Sequence, residues 1–283
     1  MSQLPVTNYT PESSLTSPGK MLHDMFRDLL AGRELAWRLA VRDIKAQYRQ
    51  ALLGILWAFI LPLANTVTWV FLSKAGIVSV ATTGLSYPVY VFTGTMLWAI
   101  FMDAVNAPMQ QVNSARGMLT KLNFPREALI LSGLYQTSFN AGIKIVLLLA
   151  VLVIMGINPG WNLLLFPVAV ASLMLLGTTI GMFITPVGML YGDVGRAMPL
   201  LMQFLMYATP VVFAMPKEGL AATLFGLNPI TPLILTARDW LTGQSPEYLG
   251  YFLAVNAIAA TILLIVWAIY RLSMPILIER MGG

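Results

Sequence analysis

Long uncharged apolar runs, separated by short polar segments, set the pattern of this chain. The clearest run is 51–72. It follows Arg42, Lys45 and Arg49, which recur at helical spacing, and it carries no charge at all. About 20 apolar residues in a helix cross a hydrocarbon layer roughly 30 Å thick. Six stretches meet that length: about 51–72, 88–107, 128–155, 163–190, 197–214 and 248–270. The expected fold class is therefore an all-α integral membrane protein with six transmembrane helices. Pro62 within the first span is tolerable because neighbouring helices can satisfy the carbonyl it frees. Gly177 and Gly181 in the fourth form a small-xxx-small pair suited to close helix packing.

The flanking segments read differently. Residues 1–20 are polar and rich in Pro, Ser and Thr, without the apolar core of a signal peptide, and predict a retained, disordered cytoplasmic tail. Residues 21–50 place Leu22, Met25, Phe26, Leu29 and Leu30 on one helical face. Further on, Arg38, Arg42, Lys45 and Arg49 form a basic face beside Trp37, Val41, Ile44 and Tyr48. That pattern predicts an N-terminal amphipathic interfacial helix at headgroup level; the plainer alternative is a basic flank that only sets orientation. The segment 108–127 reads as an inner loop, with one short helix over 113–122 ended by Phe124–Pro125. The longest external loop, 215–247, contains apolar pieces at 219–227 and 230–242. Each is too short to span, so both are expected to be short re-entrant or interfacial helices. Residues 271–283 are expected to be a cytoplasmic C-terminal tail.

Composition supports lipid as the main solvent. The chain has 283 residues, of which 58% are hydrophobic and only 10% charged. A soluble domain carries about a quarter charged residues. The net charge of +5 has a topological account. The segments placed in the cytoplasm hold 13 of the 17 basic residues; the external loops hold only Lys74, Lys217 and Arg238, and Lys144 lies within a span. This bias predicts that both termini are cytoplasmic, in the inner membrane, and makes nucleic acid an unneeded partner.

Enzyme chemistry finds little support. There is no phosphate-binding loop, no dinucleotide fingerprint and no zinc-protease motif. Cysteine is absent and His23 is the only histidine, so no catalytic or metal residues are assigned. Any ATP would be used by another chain.

Four segments together carry a resemblance. RDIKAQYRQALLGILWAFILPL (42–63), KLNFPRE (121–127), YGDVGRAMPLLMQFLMYATPVVF (191–213) and LNPITPL (227–233) occur in order on the six-span pattern. In this the chain resembles the permease subunits of type-2 ABC exporters of cell-surface polysaccharides, which serve O-antigen, teichoic acid and capsule. It departs from the family's common Arg-Asp before span five, where it reads Gly192-Asp193-Val194-Gly195-Arg196. The resemblance makes 51–270 an ABC-2 type transmembrane domain. It implies a homodimer with a channel between the two copies, bound to two copies of a separate cytoplasmic ATPase that holds ATP and Mg. It also implies that the amphipathic segment and the loop between spans two and three touch that ATPase. Arg38, Arg42, Lys45, Arg49, Arg116, Lys121 and Arg126 are the coupling candidates on those segments.

Substrate-channel candidates come from polar and aromatic residues within spans. Ser132, Gln136, Asn140 and Lys144 recur every four residues and keep to one face. Lys144 either faces the pathway, meeting phosphate or acidic sugars, or snorkels to the outer headgroups. Asp103, four residues from the inner end of its span, is expected to lie more than about 15 Å from the depth of Lys144, which argues against a direct ion pair. Trp57, Asn65, Thr68 and Trp69 in span one, with Gln203 and Tyr207 in span five, mix stacking and hydrogen-bonding groups as a sugar path requires. Lipid-facing anchoring is the alternative for each aromatic. Met198, Met202 and Met206 read as core packing.

The leading function is the transmembrane subunit of an ATP-driven exporter of lipid-linked polysaccharide. An exporter of a drug or small lipid is the alternative within transporters. A membrane glycosyltransferase or lipid phosphatase is the alternative among enzymes, and it is disfavoured by the missing acidic pairs.

Overall fold

The computed structural model describes residues 18–49, 56–76, 84–119, 125–216 and 218–282. Among them the structure is helical throughout, with eleven α-helices and no strand. In chain order they are α1 (Pro18–Ala31), α2 (Arg33–Arg49), α3 (Trp57–Lys74), α4 (Tyr87–Ser114), α5 (Arg116–Leu119), α6 (Glu127–Ile154), α7 (Phe166–Leu190), α8 (Gly192–Tyr207), α9 (Gly219–Leu227), α10 (Ile230–Thr242) and α11 (Leu249–Gly282). Residues 1–17 of the expected N-terminal tail, the first residues of span one and Lys121 lie outside the described residues, and residues 18–20 of that tail are the first of α1.

Four helices are long and apolar enough to cross a membrane: α4, α6, α7 and α11 as far as Leu277. The pair α9–α10 is bent by 84° at its break and counts as one further span or a re-entrant loop. Both pieces fall where the apolar segments 219–227 and 230–242 place them. Helix α3, at 18 residues, extends about 27 Å at 1.5 Å per residue.

Several boundaries differ from those expected. Span two does not end near residue 107 but continues as helix to Ser114. The expected helix over 113–122 is only the single turn α5, because Asn113 and Ser114 belong to α4. The stretch expected as span five, 197–214, is helical only as far as Tyr207, within the 16-residue α8, and turns follow over 208–211. The segment after residue 270 is helical as far as Gly282, as the continuation of α11. The segment 21–50 is two helices rather than one, meeting at Gly32. A side chain there would press on Ala128, because Gly32 packs against the first turn of α6.

Helix α4 is the hub, packed along both α6 and α7. Gly177 and Gly181 sit on the α4 side of α7. A Cβ at Gly177 would stand 2.8 Å from the Phe101 carbonyl oxygen, so the small-xxx-small pair sets this close approach. Hydroxyls within the helices bond to their own backbone: those of Thr93, Thr137, Thr179 and Thr185 each donate to the carbonyl four residues earlier. This satisfies the hydroxyl inside an apolar environment. The main core joins Phe101, Leu148, Phe166, Leu173, Ile234 and Phe252 from five helices.

A second core gathers the opposite end: Met25 and Leu39 meet Leu129, Trp267, Tyr270 and Met274. One cation ties this end together. The guanidinium of Arg271 donates to Glu127 Oε1 and to Asp28 Oδ2, each at 2.6 Å, and so links α11, α6 and α1. Bidentate use of an arginine between two carboxylates fixes orientation as well as distance.

Candidate functional site: an amide-lined cleft between α2, α4 and α6

The C-terminal half of α4 carries polar residues at spacings of three and four: Asp103, Asn106, Gln110 and Asn113. That spacing keeps them on one helical face. Helix α6 answers with Gln136, Asn140 and Lys144. The two helices run antiparallel and the stripes meet. Gln111 donates to Gln136 Oε1 at 2.8 Å, and Lys144 Nζ bonds to Asp103 Oδ2 at 2.6 Å. The two contacts are eight residues apart on each helix, as antiparallel packing requires. Gly133 permits the closeness, since a Cβ there would stand 3.3 Å from Ala107 Cβ.

Helix α2 closes the inner side. Gln111 also donates to Asp43 Oδ2 at 3.3 Å, and Gln136 donates to Gln47 Oε1 at 3.5 Å. Asp43 in turn accepts from Arg42 Nε at 2.7 Å. Around this network lie two adjoining cavities of about 320 and 330 Å³. They share Gln110 and Gln136, so they form one cleft. Its wall is mostly side-chain amides, each able to donate and to accept.

The Lys144–Asp103 pair overturns two expectations. Depth argues against a direct ion pair in the sequence, and snorkelling to the outer headgroups is the alternative there to a pathway role. The depth argument ended span two near residue 107 and set its inner end level with that of span three. In fact α4 continues to Ser114, and Gln111 is level with Gln136, nine residues into α6. The ammonium therefore turns inward onto Asp103, leaving the lysine side chain only 13% exposed. A charge held inside a helical membrane protein is tolerable when paired in this way.

The other channel candidates occupy a different face. Trp57, Asn65 and Thr68 are exposed along α3, and Gln203 and Tyr207 are exposed on α8. Trp69 joins the two helices, with its ring edge-on to Tyr207 at 6.3 Å and to Phe213 at 5.4 Å. The two sets of candidates are thus not one site. Ser132 is fully buried and its hydroxyl has no partner. Met198 and Met202 are buried in the main core, as expected of packing residues.

Of the coupling candidates, Arg38 pairs with Glu34 at 2.6 Å on the exposed face of α2. Lys45 and Arg49 are exposed on the same helix, and Arg116 is exposed on α5. Arg126 is half-buried at the start of α6. Arg42 Nη1 also reaches Met118 Sδ at 3.7 Å, so the amphipathic segment and the loop after α4 touch.

Arg238 lies in the expected short helix 230–242, but it is a buried residue rather than an external charge. It is 2% exposed, within α10. Its guanidinium lies 3.7 Å from the Tyr90 ring centroid and donates to Val211 O at 3.1 Å, Thr93 Oγ1 at 3.3 Å and Tyr90 O at 3.4 Å. Gly94 makes room for it, because a Cβ there would meet Val211 O and Arg238 Nη2. The polar stripe of α4 was legible from its three-and-four spacing. No comparable signal marks Arg238.

No family model matches the chain. Among known proteins it is similar to the O-antigen export system permease protein RfbA of Myxococcus xanthus, 26% identical over 213 residues, covering 74% of this chain and 81% of that protein. The protein of the same name from Klebsiella pneumoniae is 21% identical over 214 residues, covering 73% and 80% of the two chains. The polysialic acid transport protein KpsM of Escherichia coli is 23% identical over 241 residues, covering 82% and 91%. Over most of its length the chain is a relative of these permease and transport proteins, in keeping with its resemblance to type-2 ABC polysaccharide exporter permeases.

Proposed function

We propose that the chain is the transmembrane subunit of an ATP-driven exporter that moves lipid-linked cell-surface polysaccharide (O-antigen, capsule or teichoic acid) across the inner membrane. The observation that carries this reading is the similarity to O-antigen and polysialic acid export proteins over most of the length of both chains. The four-part motif resemblance and the apolar helices support it.

In this reading two copies form the unit and each binds one cytoplasmic ATPase, which holds the ATP and Mg. Six spans leave both termini in the cytoplasm: α3, α4, α6, α7, α8 with its following turn, and α11. The pair α9–α10 dips into the outer side. ATP binding on the partner moves α1–α2 and the segment after α4, through Arg38, Arg42, Lys45, Arg49, Arg116, Lys121 and Arg126. The Arg42–Met118 contact supports joint movement of the two segments. The exposed residues of α3 and α8, from Trp57 to Trp69 with Gln203 and Tyr207, line the path between the copies. The amide cleft with Gln136, Asn140 and Lys144 receives sugar on its inner side.

Deletion of the gene in its own host tests the reading. Polysaccharide is expected to accumulate inside the cell and to disappear from the surface, with restoration by a plasmid copy. Unchanged surface polysaccharide would refute it. Joint reversal of Lys121 and Arg126 to Glu is expected to lower export while membrane insertion stays normal, as read by surface polymer against membrane-fraction yield.

A further inference from the structure

We infer that the cleft between α2, α4 and α6 is a binding site for uncharged, hydroxyl-rich glycan and discriminates against acidic polymer. This deepens the polysaccharide-export reading and rests on it.

The first observation is the lining. Gln47, Asn106, Gln110, Gln136 and Asn140 present side-chain amides to the cavities. A sugar hydroxyl both donates and accepts, and an amide offers both complements within one planar group. Each cavity also falls within the roughly 300–1,000 Å³ of small-ligand sites.

The second observation is the charge. The charged residues lining the two cavities are Asp43 and Asp103, both carboxylates; among the described residues no cation lines either one. Each of those carboxylates is itself paired with a cation. Lys144 is 2.6 Å from Asp103. Arg42 Nε is 2.7 Å from Asp43, and its Nη1 turns to Met118. A glycan carboxylate entering here would lose water and meet two acceptors of its own sign whose counter-charges are already taken, with no cation in the lining to replace the loss. A neutral hydroxyl would instead donate to the same acceptors.

The third observation concerns strength. No aromatic ring lines either cavity among the described residues. Hydrogen bonds traded against water contribute only about 1 kcal/mol each. Such a wall holds a sugar without clamping it, as a sliding polymer needs.

The test uses the full chain in lipid nanodiscs, titrated with maltoheptaose and with an oligogalacturonate of matching length. Maltoheptaose is expected to bind about tenfold more tightly. The double variant Gln136→Leu/Asn140→Leu is expected to weaken maltoheptaose binding about fivefold with little effect on the acidic oligomer. Asp103→Asn, which frees the Lys144 ammonium, is expected to narrow the difference between the two ligands. Gln110→Leu, at an exposed position, is the second variant should the double one fail to fold. Equal or tighter binding of the acidic oligomer overturns the inference, as does absence of saturable maltoheptaose binding or indifference to the lining substitutions. Surface polysaccharide that survives gene deletion would instead overturn the export reading, while glycan binding in nanodiscs stays measurable.

Discussion

Two cations lie inside this helical bundle, and their surroundings have little in common. Lys144 sits at the edge of a polar cleft and faces a carboxylate. Arg238 sits in a closed core and faces only neutral groups: three oxygens and the ring of Tyr90. A carboxylate partner in a half-open site makes a pair that either side can lose and water can partly replace. Carbonyl oxygens and a ring in a dry site make an attachment that nothing can replace. The first arrangement suits a surface that must meet a passing ligand. The second suits a joint, because those oxygens belong to α4 and to the turn after α8, while Arg238 belongs to α10.

Breaking the joint should have the largest effect. Arg238→Met strips Val211 and Tyr90 carbonyls of their buried donor and removes the cation from the Tyr90 face. A loss of about 3 kcal/mol or more is expected, read as a lowered unfolding midpoint in detergent. An unchanged midpoint would mean that the joint is ornamental. Gly94→Val attacks the same place from the other side. Its Cβ would collide with the Val211 carbonyl and with Arg238, so about 1–3 kcal/mol is expected from overpacking. Melting that matches the parent would show that the turn after α8 can yield.

Substitution of the pair sharpens the contrast. Asp103→Asn alone leaves the ammonium without its partner, at a cost of about 1–3 kcal/mol for a site this open. Asp103→Leu/Lys144→Met removes both charges and is expected to fold better than either single change. A double-mutant cycle in detergent decides this; additive losses would argue against coupling. The smallest effect should come from Gln111→Leu, about 1 kcal/mol, because Gln136 and Asp43 can turn to water in the cleft.

The sequence already displayed much of this. Apolar runs located α4, α6, α7 and α11, and the two short pieces around Asn228–Pro229 marked the bent pair α9–α10. The errors share one cause. A polar residue that another helix satisfies looks, in isolation, like a residue in a loop. Asn106, Gln110, Gln111 and Asn113 therefore seemed to end span two, although their spacing placed them on one face turned toward α6. Arg238 seemed to be an external charge for the same reason. Its partners are carbonyl oxygens, which every residue possesses, so no side-chain pattern could announce them. The Lys144–Asp103 pair was hidden by two premises: a helix end placed seven residues early, worth about 10 Å of depth, and the facing ends of α4 and α6 taken as level.

The length of α11 has a mechanical meaning. Its 34 residues extend about 50 Å, well beyond a hydrocarbon layer of roughly 30 Å. Arg271, bound to Asp28 and Glu127, lies about 33 Å from the start of the helix. The helix is thus a rod pinned near its fulcrum, with an arm of about 16 Å projecting past the pin. Each 10° of tilt sweeps the tip by about 3 Å. A probe attached near Met281 would therefore act as a pointer, turning small shifts of α1 into displacements large enough to measure.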